Sequence, residues 1–102
     1  MKLPGNMQQM MRQAQQMQEK LAQEIAQIRV EATAGGGMIA VKMDGQKNLL
    51  EVKIDPEVAG DVEMLQDMIV AACNEATKKV DEATRSKTAG MLGGMGLPPG
   101  LF

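Results

Sequence analysis

Apolar side chains recur at Met7, Met10, Met11, Ala14, Met17, Leu21, Ile25 and Ile28, close to the 3.6-residue period of an α-helix. The stretch Gln13 to Lys20, QAQQMQEK, is polar on its other sides, strongly helix-forming and free of Gly and Pro. Pro4 and Gly5 break the chain before it, and Asn6 is a residue type that caps helices. The spacing predicts a helix from Asn6 to Ile28, about 35 Å long at 1.5 Å per residue. That exceeds the width of one small domain, so the N-terminal half is expected to project.

From Arg29 the period changes to two. Val30, Ala32 and Ala34 alternate with Arg29, Glu31 and Thr33; Ile39, Val41 and Met43 alternate with Ala40 and Lys42; Leu50, Val52 and Ile54 alternate with Glu51 and Lys53. Gly35-Gly36-Gly37 and Asp44-Gly45 separate these runs as turns, and Asp55-Pro56 ends the last. Short turns make the three strands an antiparallel meander with one apolar face. A second helix is predicted from Val62 to about Lys87, with Asp61 as its cap and Val62, Leu65, Ile69, Ala72, Ala76, Val80 and Ala83 as its apolar face.

The predicted class is therefore α+β: helix, three-stranded antiparallel meander, helix, in two layers. Residues 1–89 form the one domain, and residues 90–102, rich in Gly, Pro and Met, are expected to be a flexible tail. One sheet edge and the projecting helix stay open, which invites a second copy of the chain. The methionine-rich stripe, Met7, Met10, Met11, Ala14, Met17 and Leu21, is a further expected dimer contact.

Composition narrows the chemistry. Phe102 is the only aromatic residue among 102, so the core is built from Met, Leu, Ile, Val and Ala. There is no His, which removes the side chain most used for proton transfer near neutral pH and the commonest metal ligand. Cys73 is the only cysteine, so there is neither an internal disulfide nor a cysteine metal cluster, and the cytoplasm is the expected compartment. The opening MKLPGNMQQ has no apolar run of the kind a secretory signal needs, and no stretch approaches a membrane span. No set of acid, base and nucleophile is present, so no enzymatic activity, small-molecule substrate, cofactor or metal is expected.

Three motifs read as structure. The Gly35–Gly37 run lacks the following Lys-Ser/Thr and helix of a phosphate-binding loop and reads as a hairpin turn. The carboxylates Asp55, Glu57, Asp61, Glu63 and Asp67 lack the alternation of a calcium loop and read as cap and first-turn acids. Cys73, beside Ala72 and Ala76 with no His to activate it, reads as a buried or half-buried thiol.

The cations remain. Lys78, Lys79, Arg85 and Lys87 gather late in the second helix, Arg12 and Lys20 lie on the first, and Lys2 precedes it. Taken alone, the cluster reads as a solvated helix end, which the helix dipole favours. The net charge of −2 means that any nucleic-acid binding comes from a local patch. Without internal aromatics, stacking on single-stranded bases is excluded, and contact with DNA would be to phosphates.

The stretches QAQQMQEK, Glu24-Ile25-Ala26-Gln27, VKIDPEV, EMLQDMIVAACNEA with paired basic residues after it, and the closing LPPG together resemble the YbaB/EbfC family of bacterial nucleoid-associated proteins. The similarity spans nearly the whole chain. It implies a homodimer with sheets joined at the centre and long helices projecting like tweezers. It also implies binding of double-stranded DNA with altered DNA conformation, and roles in nucleoid organisation, gene regulation or DNA protection. On that reading Arg12, Lys20, Lys78, Lys79, Arg85 and Lys87 are the expected phosphate contacts and the nucleoid is the expected location. The alternative is a protein-interaction module whose methionine-rich helix docks a recombination or replication partner without touching DNA.

Overall fold

The computed structural model describes residues 5–93. The order is α1 (Gly5–Ala26), β1 (Arg29–Ala34), a single 3-10 turn (Gly35–Gly37), β2 (Ile39–Asp44), β3 (Leu49–Ile54) and α2 (Val62–Gly93). The sheet is antiparallel in the order β1-β2-β3. Ala32 opposes Val41 and Val41 opposes Val52, so the apolar positions of all three strands share one face. On the other face Lys42 lies between Glu31 and Glu51.

The core is small and aliphatic. Ile39, Val41 and Met43 of β2 and Ala32 of β1 are buried against Ala72, Ala76 and Val80 of α2, with Val58 closing one end. The alanines let the helix axis lie close to the sheet. Burial of each larger aliphatic side chain stabilises by about 1.5–3 kcal/mol, so Ile39, Val41 and Val80 dominate. α2 lies over β1 and β2 and not over β3. Val52 and Ile54 therefore remain 38% and 42% exposed, although they sit on the core face.

Local chemistry sets the boundaries. Asp61 caps α2, its Oδ1 accepting from Met64 N at 3.1 Å and its carbonyl from Leu65 N at 2.9 Å. Arg29 closes α1 from the far side, Nη1 donating to the Ala26 and Ile28 carbonyls at 2.9 and 2.8 Å. Gly35, Gly36 and Gly37 all have positive φ, which explains a run of three glycines in the first hairpin.

The second hairpin is not the two-residue turn suggested by Asp44-Gly45. Its loop runs to Asn48, with Lys47 N bonded to Asp44 O and Lys47 left-handed at φ 66°. The Asp44 carboxylate organises it, accepting from Asn48 N and Gln46 N at 2.9 Å each. The Asn48 N–H is the main cause holding the Asp44 pKa below the ordinary aspartate value. Partial loss of water opposes it, while the Asn48 side chain, the Gln46 N–H and the Arg29 charge add to it.

Two helix ends differ from expectation. α1 already includes Gly5, so Asn6 lies inside the helix and is not its cap. α2 runs through Lys87 and Gly90 to Gly93, because no proline interrupts it before Pro98. Residues 90–93 thus belong to the helix, and the rest of the expected tail lies outside the described residues.

Candidate nucleic-acid interface

The two helices pack together over part of their length and run in opposite directions. Lys87 of α2 meets Glu24 of α1, and Gly90 and Met91 share a surface hollow with Lys20 and Glu24. Beyond that hollow no other element among the described residues accompanies α1. Its stripe is open there: Met7, Met10 and Met11 are 48%, 67% and 55% exposed, Ala14 is exposed, and Met17 and Leu21 are half-buried. The molecule is correspondingly long, 68 Å against 25 and 18 Å.

The structure divides the six expected phosphate contacts into two groups. Lys79 reaches back to the sheet and donates to the Glu31 carbonyl at 2.8 Å, and Lys87 pairs with Glu24 at 3.1 Å. Lys78, Arg85, Lys20 and Arg12 are exposed, and among the described residues no ion pair engages them. Lys78 and Arg85 stand seven residues apart, two turns along one exposed side of α2, roughly 10 Å from each other. Lys20 borders the hollow beside Lys87, while Arg12 lies on the unaccompanied part of α1. The six positions thus spread along the two helices and do not converge on a single pocket.

The other cations are mostly engaged. Lys47 pairs with Asp81 at 2.9 Å, while Lys42 and Lys53 flank Glu51 at 3.3 and 3.8 Å. The sheet's polar face is therefore nearly charge-balanced and offers little to a polyanion. Asp55 and Asp61 direct their carboxylates to the Glu57 and Met64 N–H groups, as turn and cap acceptors. Cys73 is half-buried against the core. No helix among the described residues is long and apolar enough to cross a membrane.

The pattern of the sequence predicts an open sheet edge, but neither which strand forms it nor that its apolar side chains stay exposed. β3 reads as an ordinary half-buried strand, yet it presents both an unpaired main-chain edge and the exposed side chains of Leu49, Leu50, Val52 and Ile54. Its position at the sheet edge, outside the cover of α2, is a tertiary fact that alternation alone does not carry.

Comparison with known proteins gives a consistent result. The chain matches the YbaB/EbfC DNA-binding family over residues 2–95. It is 57% identical over 95 residues to a nucleoid-associated protein of Koribacter versatilis, covering 91% of this chain and 94% of that one. It is 49% identical over 106 aligned positions to a nucleoid-associated protein of Acidobacterium capsulatum, with 97% and 98% coverage. A nucleoid-associated protein of Xanthomonas axonopodis pv. citri is 44% identical, with 95% and 94% coverage. The crystal structure of an uncharacterized protein from Helicobacter pylori shares the fold at a TM-score of 0.74 and 22% identity, covering 89% of this chain and 99% of that one.

Proposed function

The chain belongs to the YbaB/EbfC DNA-binding family, and from that premise we propose that it is a nucleoid-associated protein that binds duplex DNA as a homodimer. The observation that carries this reading is the set Arg12, Lys20, Lys78 and Arg85, exposed on the two helices and without an ion-pair partner among the described residues. These side chains reach phosphates, which fix a protein on the duplex without reading its sequence. Binding is weakly sequence-specific and acts on the shape or compaction of DNA, in support of nucleoid organisation, gene regulation or DNA protection. Lys79 and Lys87, already engaged within the fold, contribute less.

The dimer forms through β3. That strand offers unpaired backbone groups together with exposed apolar side chains on the core face, so a second copy would continue the sheet and cover Val52 and Ile54 at once. The methionine face of α1 offers side chains only, and it remains on the projecting arm when the sheets join. Joining the sheets doubles the cation set and places two arms on one duplex.

A gel shift with random-sequence duplex across a salt series tests the function. Four to eight phosphate contacts per dimer predict a log–log slope of roughly −4 to −7. Absence of a shift at low salt, or a shift indifferent to salt, would exclude the proposed mode.

A further inference from the structure

The open stripe of α1 has the spacing of a seam between two helices. Met7, Met10, Ala14, Met17 and Leu21 follow one another at intervals of three, four, three and four residues. That alternation keeps one face of a helix turned toward a second helix. The residues between them are polar apart from Met11. Near Glu24 and Lys20 the second helix is α2. From Ala14 to Met7 the stripe is exposed, and no other element among the described residues covers it.

The charge pattern narrows the occupant. Between Met7 and Gln18 the only charged residue is Arg12, five positions beyond Met7 and on the opposite side of the helix from the stripe. The stripe therefore holds no cation for a phosphate and no charge of either sign to select a charged partner. Its fit is to itself. Turned end for end against a second copy, Met7 meets Met17 and Met10 meets Ala14, and the reverse pairs follow by symmetry. Each wide Met10 then lies over a small Ala14, so the two backbones approach closely at the middle. Met–Met layers close both ends with flexible thioethers that adapt to one another. A parallel pair would instead set Met10 on Met10 and Ala14 on Ala14, wide on wide and small on small. The antiparallel sense also keeps the two sheets at opposite ends, because α2 meets α1 on the far side of Lys20.

We propose that the α1 arms of two chains pair antiparallel through Met7, Met10, Ala14 and Met17, linking one β3-joined dimer to the next. The paired stretch is about 15 Å long, far less than a permanent complex of about 1,200–2,000 Å² buries. The contact is therefore weak between free dimers and gains strength where dimers are held close together, as on one duplex. Each dimer carries two arms, so the contact repeats from dimer to dimer. Arg12 faces away from the seam and stays open to a phosphate. The pairing itself needs neither DNA nor β3; only its role on DNA rests on the function proposed above.

The test is sedimentation equilibrium of the full chain without DNA, from about 10 μM to about 1 mM, the range in which weak contacts fill. The parent mass should climb above that of the dimer, roughly twofold at the highest concentration. Met10→Glu should stay at the dimer mass throughout. Met10 is 67% exposed, so this variant keeps its fold. Ala14→Lys, also at an exposed position, should stay at the dimer mass as well. An equal mixture of the two variants should climb again, because the new carboxylate then faces the new ammonium. In Val52→Lys the climb should start from the monomer mass, so a failure of the β3 interface is read separately. Loss of DNA binding would leave every one of these masses unchanged. A parent that remains a dimer at the highest concentration would overturn the proposal. So would a Met10→Glu protein that climbs like the parent, or a mixture that stays as small as its components.

Discussion

Lys87 on α2 and Glu24 on α1, 63 residues apart in the sequence, meet with Nζ and Oε2 3.1 Å apart. Both side chains are about two-fifths exposed, so the pair fixes where α2 lies along α1 more than it holds the helices together. Exposed pairs of this kind contribute about 0–1 kcal/mol. Lys87→Gln should therefore shift urea-unfolding stability by less than about 1 kcal/mol. A larger loss would mean that the helix seam depends on this contact.

Gly45 tests a tighter junction. A Cβ at this position would overlap the backbone carbonyl of Ile25, and neither backbone can turn aside as a side chain could. Gly45→Ala should cost about 1–3 kcal/mol, the usual range for overpacking. For a chain of this size that lowers the melting temperature by roughly 4–8 °C per kcal/mol. Gly36→Ala gives the contrasting case. No atom lies within 4 Å of the added methyl, and only the left-handed φ of 70° opposes it, for about 1–2 kcal/mol. If Gly36→Ala proved the more damaging in thermal melts, the contact at Ile25 would not be the constraint described.

Much of the fold is legible in the sequence. The 3.6-residue spacing of Ala72, Ala76 and Val80 and the two-residue spacing of Ile39, Val41 and Met43 report the same core from its two sides. Asp61 announced its helix because capping is a local matter. Asn6 misled, since a cap requires a chain break at that residue and the helix begins before it. The engagements of Lys79 with Glu31 and of Lys87 with Glu24 span 48 and 63 residues. Side chains so distant in sequence carry no shared period. The sequence therefore groups six cations that the fold separates into two with protein partners and four without an ion-pair partner among the described residues. The family resemblance bore on the fold and the class of function; it could not make that division.

Asp44 gives a pH signature. Its folded pKa is depressed chiefly by the Asn48 N–H. A depressed carboxylate contributes stability that is fully present above the unfolded value, near 3.9, and lost as pH falls through the lower folded value. Acid titration of stability should show this loss below about pH 4, and Asp44→Ala should flatten the curve in that window. An unchanged acid limb in the variant would assign the loss to other carboxylates.

The dimer prediction rests on β3. Val52→Lys places a charge on the open core face of the edge strand, where a second sheet would bury it without a partner. Light scattering of the parent at micromolar concentration should give about twice the 11.0 kDa chain mass, and Val52→Lys should give the monomer. Because Val52 is already 38% exposed in the single chain, the monomer should remain folded by circular dichroism. A dimeric Val52→Lys protein would move the interface elsewhere, with the α1 methionine face as the next surface to test.

The division of the cations yields the sharpest functional prediction. Lys78 and Arg85 are exposed on α2 without an ion-pair partner among the described residues, whereas Lys79 and Lys87 are held by Glu31 and Glu24. Replacing Lys78 and Arg85 by Gln removes up to four phosphate contacts per dimer. At about 0.9 per contact, the salt slope should become shallower by roughly 3 to 4. Binding should weaken by a similar factor on unrelated duplexes, because phosphate contacts carry no sequence information. Replacing Lys79 and Lys87 by Gln should change the slope by roughly 1 or less, since those ammonium groups must leave protein acceptors to reach DNA. Gel shifts of both double variants on two unrelated duplexes over the same salt series make the comparison. Equal losses from the two pairs would mean that Lys79 and Lys87 exchange their protein partners for phosphate on binding. A greater loss from Lys79 and Lys87 would place the DNA along the seam of the two helices, beside Glu24 and Lys20, and away from the outer side of α2.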